Sequence, residues 1–293
     1  MSNLDNQNDT TPLLVKIQYK GDPRNQTIPE FLKQTICPCF SFKSFSFIII
    51  VLNIIIFIVT LFPHGLDILD KEYFFLPPNR ETLHDVGDLD GHKIRSKFIH
   101  AYRWISGNLL HAYFDHIVFN CFAILLIGTM LEYLIGTWKY IVIYWISGIL
   151  GSLFSVLVDF DSKSVGASIS ICGLISAEIG YYIINWNAIP RIFGTNNRCC
   201  LITFPIVLAI LSIPIRSDSS GSTFDKESRI NLYGHLGGLI FGFFSSLIFI
   251  KPKEPSDTCC LPYQYLFYMG LITCIGFAII GFPCFYCLDK YKA

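Results

Sequence analysis

Long apolar runs are the feature of this sequence that most restricts its fold. A helix that crosses the hydrocarbon core of a bilayer needs about 20 apolar residues. Seven stretches approach or reach this length: Phe45–Phe62, Phe114–Leu131, Trp138–Leu157, Ser168–Trp186, Leu201–Ile215, Leu232–Ile250 and Tyr265–Phe282. Because lipid offers no hydrogen-bond partner to a backbone amide, each run must form a helix. The sequence therefore predicts an all-α polytopic membrane protein whose main partner is the lipid bilayer.

Composition agrees with this fold class and suggests three parts. The chain is 52% hydrophobic and 15% charged, whereas soluble domains carry about 25% charged residues. Its formal net charge is zero, which gives no reason to expect a nucleic-acid partner. We predict a flexible polar tail over residues 1–44 and a membrane core over 45–250 with a long first loop at 63–113. A linker, the last membrane helix and a short tail follow over 251–293.

Two side chains in these runs suggest nucleophilic catalysis. Ser168 opens the fourth run, and His235 lies just inside the sixth. An ionisable residue inside a membrane is costly and by default indicates function. Because consecutive membrane helices alternate in direction, the starts of the second, fourth and sixth runs lie on one side, at similar shallow depth. No carboxylate is evidently placed to orient His235, so the pattern predicts a Ser–His dyad rather than a triad.

Oxyanion stabilisers are predicted from the start of the second run. His116 and Asn120 are four residues apart and so share one helical face. Two neutral donors that face one point suit a tetrahedral oxyanion, and the backbone N–H of Ser168, at a helix start, is a third donor. A pair of interhelical hydrogen bonds is the structural alternative for His116 and Asn120. His111 is more consistent with a residue that anchors the entrance of the helix.

Glycines surround both dyad residues and predict close helix packing. Gly234, Gly238 and Gly242 recur every four residues, which is a small-xxx-small face that lets two helices approach closely. His235 shares that face. Gly166, two residues before Ser168, allows a tight entry into the fourth helix. The structural alternative is a packing motif in which the histidine is incidental.

Cysteines cluster beside the membrane. By helix alternation, six of them lie on the side of the N-terminus: Cys37, Cys39, Cys199, Cys200, Cys259 and Cys260. Juxtamembrane cysteines on a cytoplasmic face are candidates for S-acylation, and unmodified thiols in a reducing compartment are the alternative. Zinc binding is a weaker option, because these pairs lack the usual CxxC spacing. Lys and Arg are distributed too evenly for the positive-inside rule to orient the chain.

Taken together, these motifs resemble the rhomboid intramembrane serine proteases. The family's Gly-x-Ser motif is matched by Gly166-Ala167-Ser168, and its sixth-helix pattern by Gly234-His235 through Gly242. Its second-helix pattern is matched by His111, His116 and Asn120. Its first-loop Trp-Arg motif is matched by Tyr102-Arg103. The chain departs from the family in three places. Ile169 replaces a frequent glycine, Cys172 replaces a frequent aromatic residue, and Tyr102 replaces tryptophan.

The resemblance implies a fold, a topology and an activity. The fold is a rhomboid-like helical bundle with a six-helix core and a seventh, C-terminal membrane helix. The activity is intramembrane serine endopeptidase, with Ser168 as nucleophile, His235 as general base and acid, and Arg103 in a structural role in the first loop. No metal or cofactor is expected. Implied substrates are membrane proteins with helix-destabilised transmembrane segments. The implied location is the secretory pathway or plasma membrane, with a cytosolic N-terminus and an active site towards the lumen or exterior.

Two other functions compete with proteolysis. A catalytically inactive rhomboid-like protein that binds membrane clients would lack the serine or the histidine, and both are present. A polytopic transporter could use His235 and Glu178 as a proton path. That function predicts ionisable residues throughout the depth of the membrane, whereas the polar set of this chain clusters near one face.

Overall fold

Helices account for nearly all regular structure of the described residues. The computed structural model describes residues 27, 39–65, 78–161, 163–193, 198–211, 231–259 and 261–287. Its helices are, in chain order, α1 (Phe45–Thr60), α2 (Arg80–Val86), α3 (Gly91–Ser96), α4 (Arg103–Ser106), α5 (Phe114–Ala123), α6 (Thr129–Ile135), α7 (Thr137–Val158), α8 (Ser168–Ile184), α9 (Ile189–Phe193), α10 (Arg198–Leu211), α11 (Leu232–Phe249) and α12 (Tyr263–Cys287). A π-helical turn, Ile124–Gly128, joins α5 to α6. The short strands β1 (Leu89–Asp90) and β2 (Lys163–Ser164) pair antiparallel.

The predicted all-α polytopic fold is confirmed. Within the described residues, four helices are long and apolar enough to cross a membrane, namely Phe114–Ile135, α7, α11 and α12. A fifth candidate combines α8 with Trp186–Phe193, a pair bent by 76°. The first and fifth predicted runs are apolar helices too, but α1 and the Leu201–Ile210 part of α10 are shorter than a full span. Pro214, at the end of the fifth predicted run, lies outside the described residues.

Several predicted helix ends differ from the structure, among them the ends of the first and fourth runs. The first helix has 16 residues, about 24 Å at 1.5 Å per residue, so a bilayer would have to thin locally around it. The fourth helix was predicted to reach Trp186, but α8 ends at Ile184. Asn185 ends it by donating its side-chain amide to the Tyr181 carbonyl at 3.2 Å. The carbonyl oxygen of the same side chain accepts from the backbone N–H of Lys253 at 3.2 Å.

Helices α7, α8 and α11 form the centre of the bundle. A Cβ atom built on Gly242 would lie 2.2 Å from the Gly173 carbonyl oxygen of α8. One built on Gly237 would lie 2.8 Å from the Cα of Gly151 on α7. Side chains at these positions would overlap with backbone, so the glycines of α11 set its distance from both neighbours.

The described part of the first loop is folded and held to the site region. Arg103, predicted to be structural, is buried and donates to the His84 carbonyl at 2.7 Å and to the Asp88 carbonyl at 2.9 Å. It also forms an ion pair with the Asp88 carboxylate. Strand β1 pairs Leu89 with Ser164. The first loop is therefore tied to the segment that leads directly into Ser168.

A buried carboxylate fixes the start of α1. Glu132 of α6 accepts from the backbone N–H groups of Phe45 and Ser46, both at 2.8 Å. It also accepts from the hydroxyls of Ser46 and Thr137, both at 2.7 Å. A negative charge at a helix N-terminus satisfies unpaired donors and interacts favourably with the helix dipole. Glu132 thereby joins the first helix to the Phe114–Ile135 span.

Candidate active site

Ser168 and His235 are in direct contact. Ser168 is the first residue of α8, and His235 is the fourth residue of α11. The His235 Nε2 and Ser168 Oγ atoms are 2.8 Å apart. When the imidazole carries its proton on Nδ1, Nε2 accepts from the Ser168 hydroxyl. Ala167 occupies the N-cap position of α8 without a side-chain cap, so the first backbone N–H groups of this helix can serve another acceptor.

A glycine makes room for His116 beside Ser168. Gly166 has a φ of +131°, a region that favours glycine. A Cβ atom built there would lie 2.8 Å from His116 Nε2 and 3.5 Å from Ser168 Oγ. The Gly166 N–H donates to the Gly107 carbonyl at 2.9 Å, which fixes the loop. Any side chain at residue 166 would displace His116 from the neighbourhood of the serine.

Asn120 brings a buried donor to the same helical face. It is 7% exposed, and its Nδ2 atom has no hydrogen-bond partner among the described residues. The Nδ1 atom of His116 is likewise buried and unpartnered there. A buried donor without a partner costs about 1–3 kcal/mol. Such a cost is expected where a ligand or a reaction intermediate completes the bond.

His111 lies behind His116 as a structural support. It is fully buried, and its Nδ1 atom lies 3.2 Å from the Leu109 carbonyl oxygen. The rings of His111 and His116 meet edge-on with centroids 5.2 Å apart. Burial lowers the pKa of His111 from 6.5 to about 3, with a further contribution from His116. His111 is therefore neutral in the folded protein at physiological pH.

The pKa of His111 predicts a pH dependence of stability. Between its ordinary value of 6.5 and about 3, the unfolded chain binds a proton at this residue that the folded protein does not. The free energy of unfolding should then fall by up to about 1.4 kcal/mol per pH unit as the pH decreases. Apparent melting temperatures of wild type and His111→Asn, followed from neutral pH down to about pH 4, measure this term. The variant should show the flatter profile, and parallel profiles would contradict the assignment.

Glu178 is separate from the dyad. It is buried in α8 and accepts from the Tyr182 hydroxyl at 2.7 Å. It follows Ser168 by ten residues, about 15 Å along the helix axis. Glu178 is thus paired within its own helix and too distant to act on Ser168.

The departures from the family pattern at residues 169 and 172 are accommodated by packing. Methyl groups of Ile169 occupy the space that a Cβ atom on Gly151 or Gly234 would need, at 2.6 and 2.7 Å. Cys172 is buried, and its Cβ lies 3.2 Å from a Cβ built on Gly238. Both side chains therefore fill the interface between α8 and the glycine face of α11.

Asn231 is a site residue that the sequence reasoning missed. It is the N-cap of α11 and accepts from the Gly234 N–H at 2.7 Å. Its side chain also accepts from the Ser155 hydroxyl at 2.7 Å and donates to the Ser164 hydroxyl oxygen at 2.9 Å. An asparagine immediately before an apolar run is a helix-start signal, so the cap could have been predicted. Its two tertiary partners could not.

A group of residues whose side chains could bind a metal lies in the first loop. Donor atoms of His84, Asp88 and Asp90 lie within 4.8 Å of one another. Two cations already neutralise the carboxylates, because Arg103 pairs with Asp88 and Lys163 lies 3.7 Å from Asp90. We interpret the group as an ion-pair network that holds the first loop to β2, and we assign no metal to it.

The structure describes only some of the cysteines that were predicted as acylation candidates. Cys259 is exposed and Cys39 is partly buried. Cys37 and Cys260 lie outside the described residues, as do the side chains of Cys199 and Cys200.

Comparison with known proteins identifies the family of the site. The Rhomboid domain family model matches residues 99–252, which include Ser168, His235, His116 and Asn120. RHOMBOID-like protein 6, mitochondrial, of Arabidopsis thaliana is 31% identical over 185 residues, which cover 63% of this chain and 55% of that protein. The chain thus spans about half the length of that relative. Rhomboid-like protease 1 of Toxoplasma gondii is 26% identical over 272 residues, 92% of this chain and 85% of that protein.

Proposed function

Because the chain belongs to the rhomboid family, we propose that it is an intramembrane serine endopeptidase that cleaves transmembrane segments of membrane proteins. The observation that carries this proposal is the 2.8 Å contact between Ser168 Oγ and His235 Nε2. A hydroxyl within hydrogen-bond reach of a neutral imidazole is the arrangement that activates a serine nucleophile.

The first half of the reaction forms an acyl-enzyme. Ser168 Oγ attacks the carbonyl carbon of the scissile peptide bond while His235 Nε2 takes the hydroxyl proton. The carbonyl π electrons move onto oxygen and give a tetrahedral oxyanion. When this intermediate collapses, the C–N bond breaks and His235 gives its proton to the leaving amine. The new N-terminus departs, and the acyl group remains on Ser168 as an ester.

The second half consumes one water molecule. His235 takes a proton from the water as its oxygen attacks the ester carbonyl. The new tetrahedral intermediate collapses with cleavage of the bond to Ser168 Oγ, which recovers its proton from His235. The carboxylic acid product leaves, and the enzyme returns to its starting state. In both halves, His116, Asn120 and the Ser168 backbone N–H stabilise the oxyanion.

Cleavage of a transmembrane substrate tests this function. The purified full chain is reconstituted in liposomes with a single-span substrate whose helix contains helix-destabilising residues. We expect wild-type protein to cut within the span and Ser168→Ala to leave the substrate intact. If folded wild-type protein captures the substrate on beads without cutting it, the chain is instead an inactive client-binding member of the family.

Asn120→Ala is expected to lower kcat by about 10²–10³-fold, the usual effect of removing one oxyanion donor. KM should change little, because the lost hydrogen bond forms in the transition state. Initial rates over a range of substrate mole fractions in liposomes separate the two constants. Cys121→Ala, a neighbouring substitution on the same helix, serves as control. A rise in KM with unchanged kcat for Asn120→Ala would assign Asn120 to substrate binding instead.

The chain is a multi-pass integral membrane protein, and for its topology we propose a cytosolic N-terminus and a site that opens towards the lumen or exterior. The proposal includes the domain division into a tail at 1–44, a core at 45–250 and a seventh helix within 251–293. A glycosylation tag placed before Phe45 should remain unmodified, and one placed in the first loop should be modified in secretory membranes. Glycosylation of the tag before Phe45, with none in the first loop, would show that the topology is the opposite of the one proposed.

S-acylation of juxtamembrane cysteines is a further part of this proposal. Cys259 is the first candidate among the described cysteines, because the residue is exposed. Acyl exchange followed by mass spectrometry should label Cys259, and the label should be absent in Cys259→Ser. If acyl exchange labels none of the cysteines on the cytosolic face, the S-acylation proposal is wrong and the protease assignment is unaffected.

A further inference from the structure

The side chain of Asn231 joins three segments that meet at the candidate site. Its carbonyl oxygen accepts from the Gly234 N–H at 2.7 Å and from the Ser155 hydroxyl at 2.7 Å. Its amide nitrogen donates to the Ser164 hydroxyl oxygen at 2.9 Å. Ser155 belongs to α7 and Ser164 to β2. One side chain thus connects α7, β2 and the first turn of α11.

Both dyad residues are close to this junction along the chain. The backbone N–H of His235 donates to the Asn231 carbonyl at 3.0 Å, which is the first hydrogen bond of α11. Ser168 follows Ser164 by four residues, through a turn that is itself held by the bond between Gly166 and Gly107. The bond between Asn231 and Ser164 is therefore a short link between the backbone that carries His235 and the backbone that leads to Ser168.

We propose that Asn231 is a positioning residue that holds His235 Nε2 within hydrogen-bond reach of Ser168 Oγ. The inference rests on the proposed function for its effect on catalysis. Asn231 touches neither reacting atom in the structure, so it acts through the backbone of α11 and through β2. A displacement of about 1 Å between reacting groups lowers a rate by about 10²-fold. A single amide that sets their separation therefore has a large effect on turnover.

Three substitutions distinguish positioning from a contribution to stability alone. Asn231→Ala removes all three side-chain bonds, Ser164→Ala removes the link to β2, and Ser155→Ala removes the link to α7. We expect kcat to fall about 10²-fold in Asn231→Ala and about 10-fold in Ser164→Ala, with KM unchanged. Ser155→Ala is the matched control, because a buried serine likewise loses one hydrogen bond to Asn231, of 2.7 Å against 2.9 Å for Ser164, without touching the link to β2.

Ser155→Ala should keep kcat within about two-fold of wild type while its thermal stability falls as much as that of Ser164→Ala. Asn231→Asp should recover much of the lost kcat, because a carboxylate still accepts from Gly234 and from both hydroxyls. If kcat instead follows melting temperature in the same proportion across these variants, Asn231 is structural only. Wild-type kcat in Asn231→Ala would also overturn the inference.

An NMR measurement tests the same inference without turnover. The Nε2 resonance of His235, assigned by its loss in His235→Gln, reports the hydrogen bond to Ser168. In Ser168→Ala that bond is absent. We expect the Nε2 resonance of Asn231→Ala to move from the wild-type position towards that of Ser168→Ala. If the His235 Nε2 resonance of Asn231→Ala stays at the wild-type position, the inference is overturned even if the enzyme is active. If the resonance shifts towards that of Ser168→Ala, the inference is supported even if the chain proves inert.

Discussion

Replacing His235 with alanine is expected to lower the rate of peptide-bond cleavage by about 10⁴-fold or more. The substitution removes the imidazole whose Nε2 atom lies 2.8 Å from the Ser168 hydroxyl oxygen, so the serine loses both its proposed proton acceptor and the donor for the leaving amine. The glycine face of α11 is unaffected, and the protein should remain folded. Cleavage of a transmembrane substrate in liposomes, normalised to folded protein, measures the loss.

A histidine outside the site provides the control for this substitution. His92 is exposed and bonds to Asp161 at 2.8 Å on the protein surface. His92→Ala should cleave at a rate within about two-fold of wild type, as expected for a surface substitution. If His235→Ala retained more than about a tenth of wild-type activity, another group would have to act as the base and the dyad would be wrong.

Replacing Gly242 with alanine is expected to cost about 3 kcal/mol of folding free energy or more. The added methyl group would lie 2.2 Å from the carbonyl oxygen and 2.3 Å from the Cα of Gly173. These are backbone atoms in the middle of α8, so no side-chain rotation relieves the overlap. Helices α8 and α11 must separate, and that separation also moves His235 from Ser168. We expect a large drop in melting temperature together with a loss of activity in the fraction that stays folded.

Gly276 of α12 offers a matched comparison for Gly242→Ala. A Cβ atom built on Gly276 meets nothing within 4 Å. Gly276→Ala therefore adds the same methyl group without a clash and gains about 1 kcal/mol of helix propensity. Its melting temperature should equal or exceed that of wild type. Equal destabilisation by the two substitutions would show that loss of glycine itself, rather than close packing of α8 and α11, is responsible.

Much of the fold could be predicted because membrane insertion leaves strong local signals. An apolar run must be helical in lipid, so the helical character of Phe114–Leu131 and Leu232–Ile250 followed from the residues alone. Alternation of helix direction then placed Ser168 and His235 on one side, and the structure brings them together at 2.8 Å. The predicted C-terminal end of α8 was wrong by two residues. Asn185 ends the helix through side-chain hydrogen bonds that the apolar pattern of the sequence does not reveal.

The supporting contacts of the site could not be predicted in the same way. Glu132 caps α1 across 86 and 87 residues of sequence, and Asn231 reaches Ser155 and Ser164 across 76 and 67 residues. Such pairings depend on how the helices rotate and tilt against one another. A hydropathy pattern fixes which face is apolar but leaves rotation and tilt to packing. The sequence therefore predicted the two side chains that the structure brings together, Ser168 and His235, and missed contacts such as those of Asn231 that surround them.

We propose Ser168 as an activated nucleophile, and covalent labelling tests this role most directly. Folded wild-type protein is incubated with a fluorophosphonate probe, and the modified residue is located by mass spectrometry. Nucleophilic attack on phosphorus should attach the probe to Ser168 and to no other serine, and labelling should vanish in both Ser168→Ala and His235→Ala. A probe found on a different residue, or folded protein that stays unlabelled under conditions that label another serine hydrolase in the same membrane, would contradict the account.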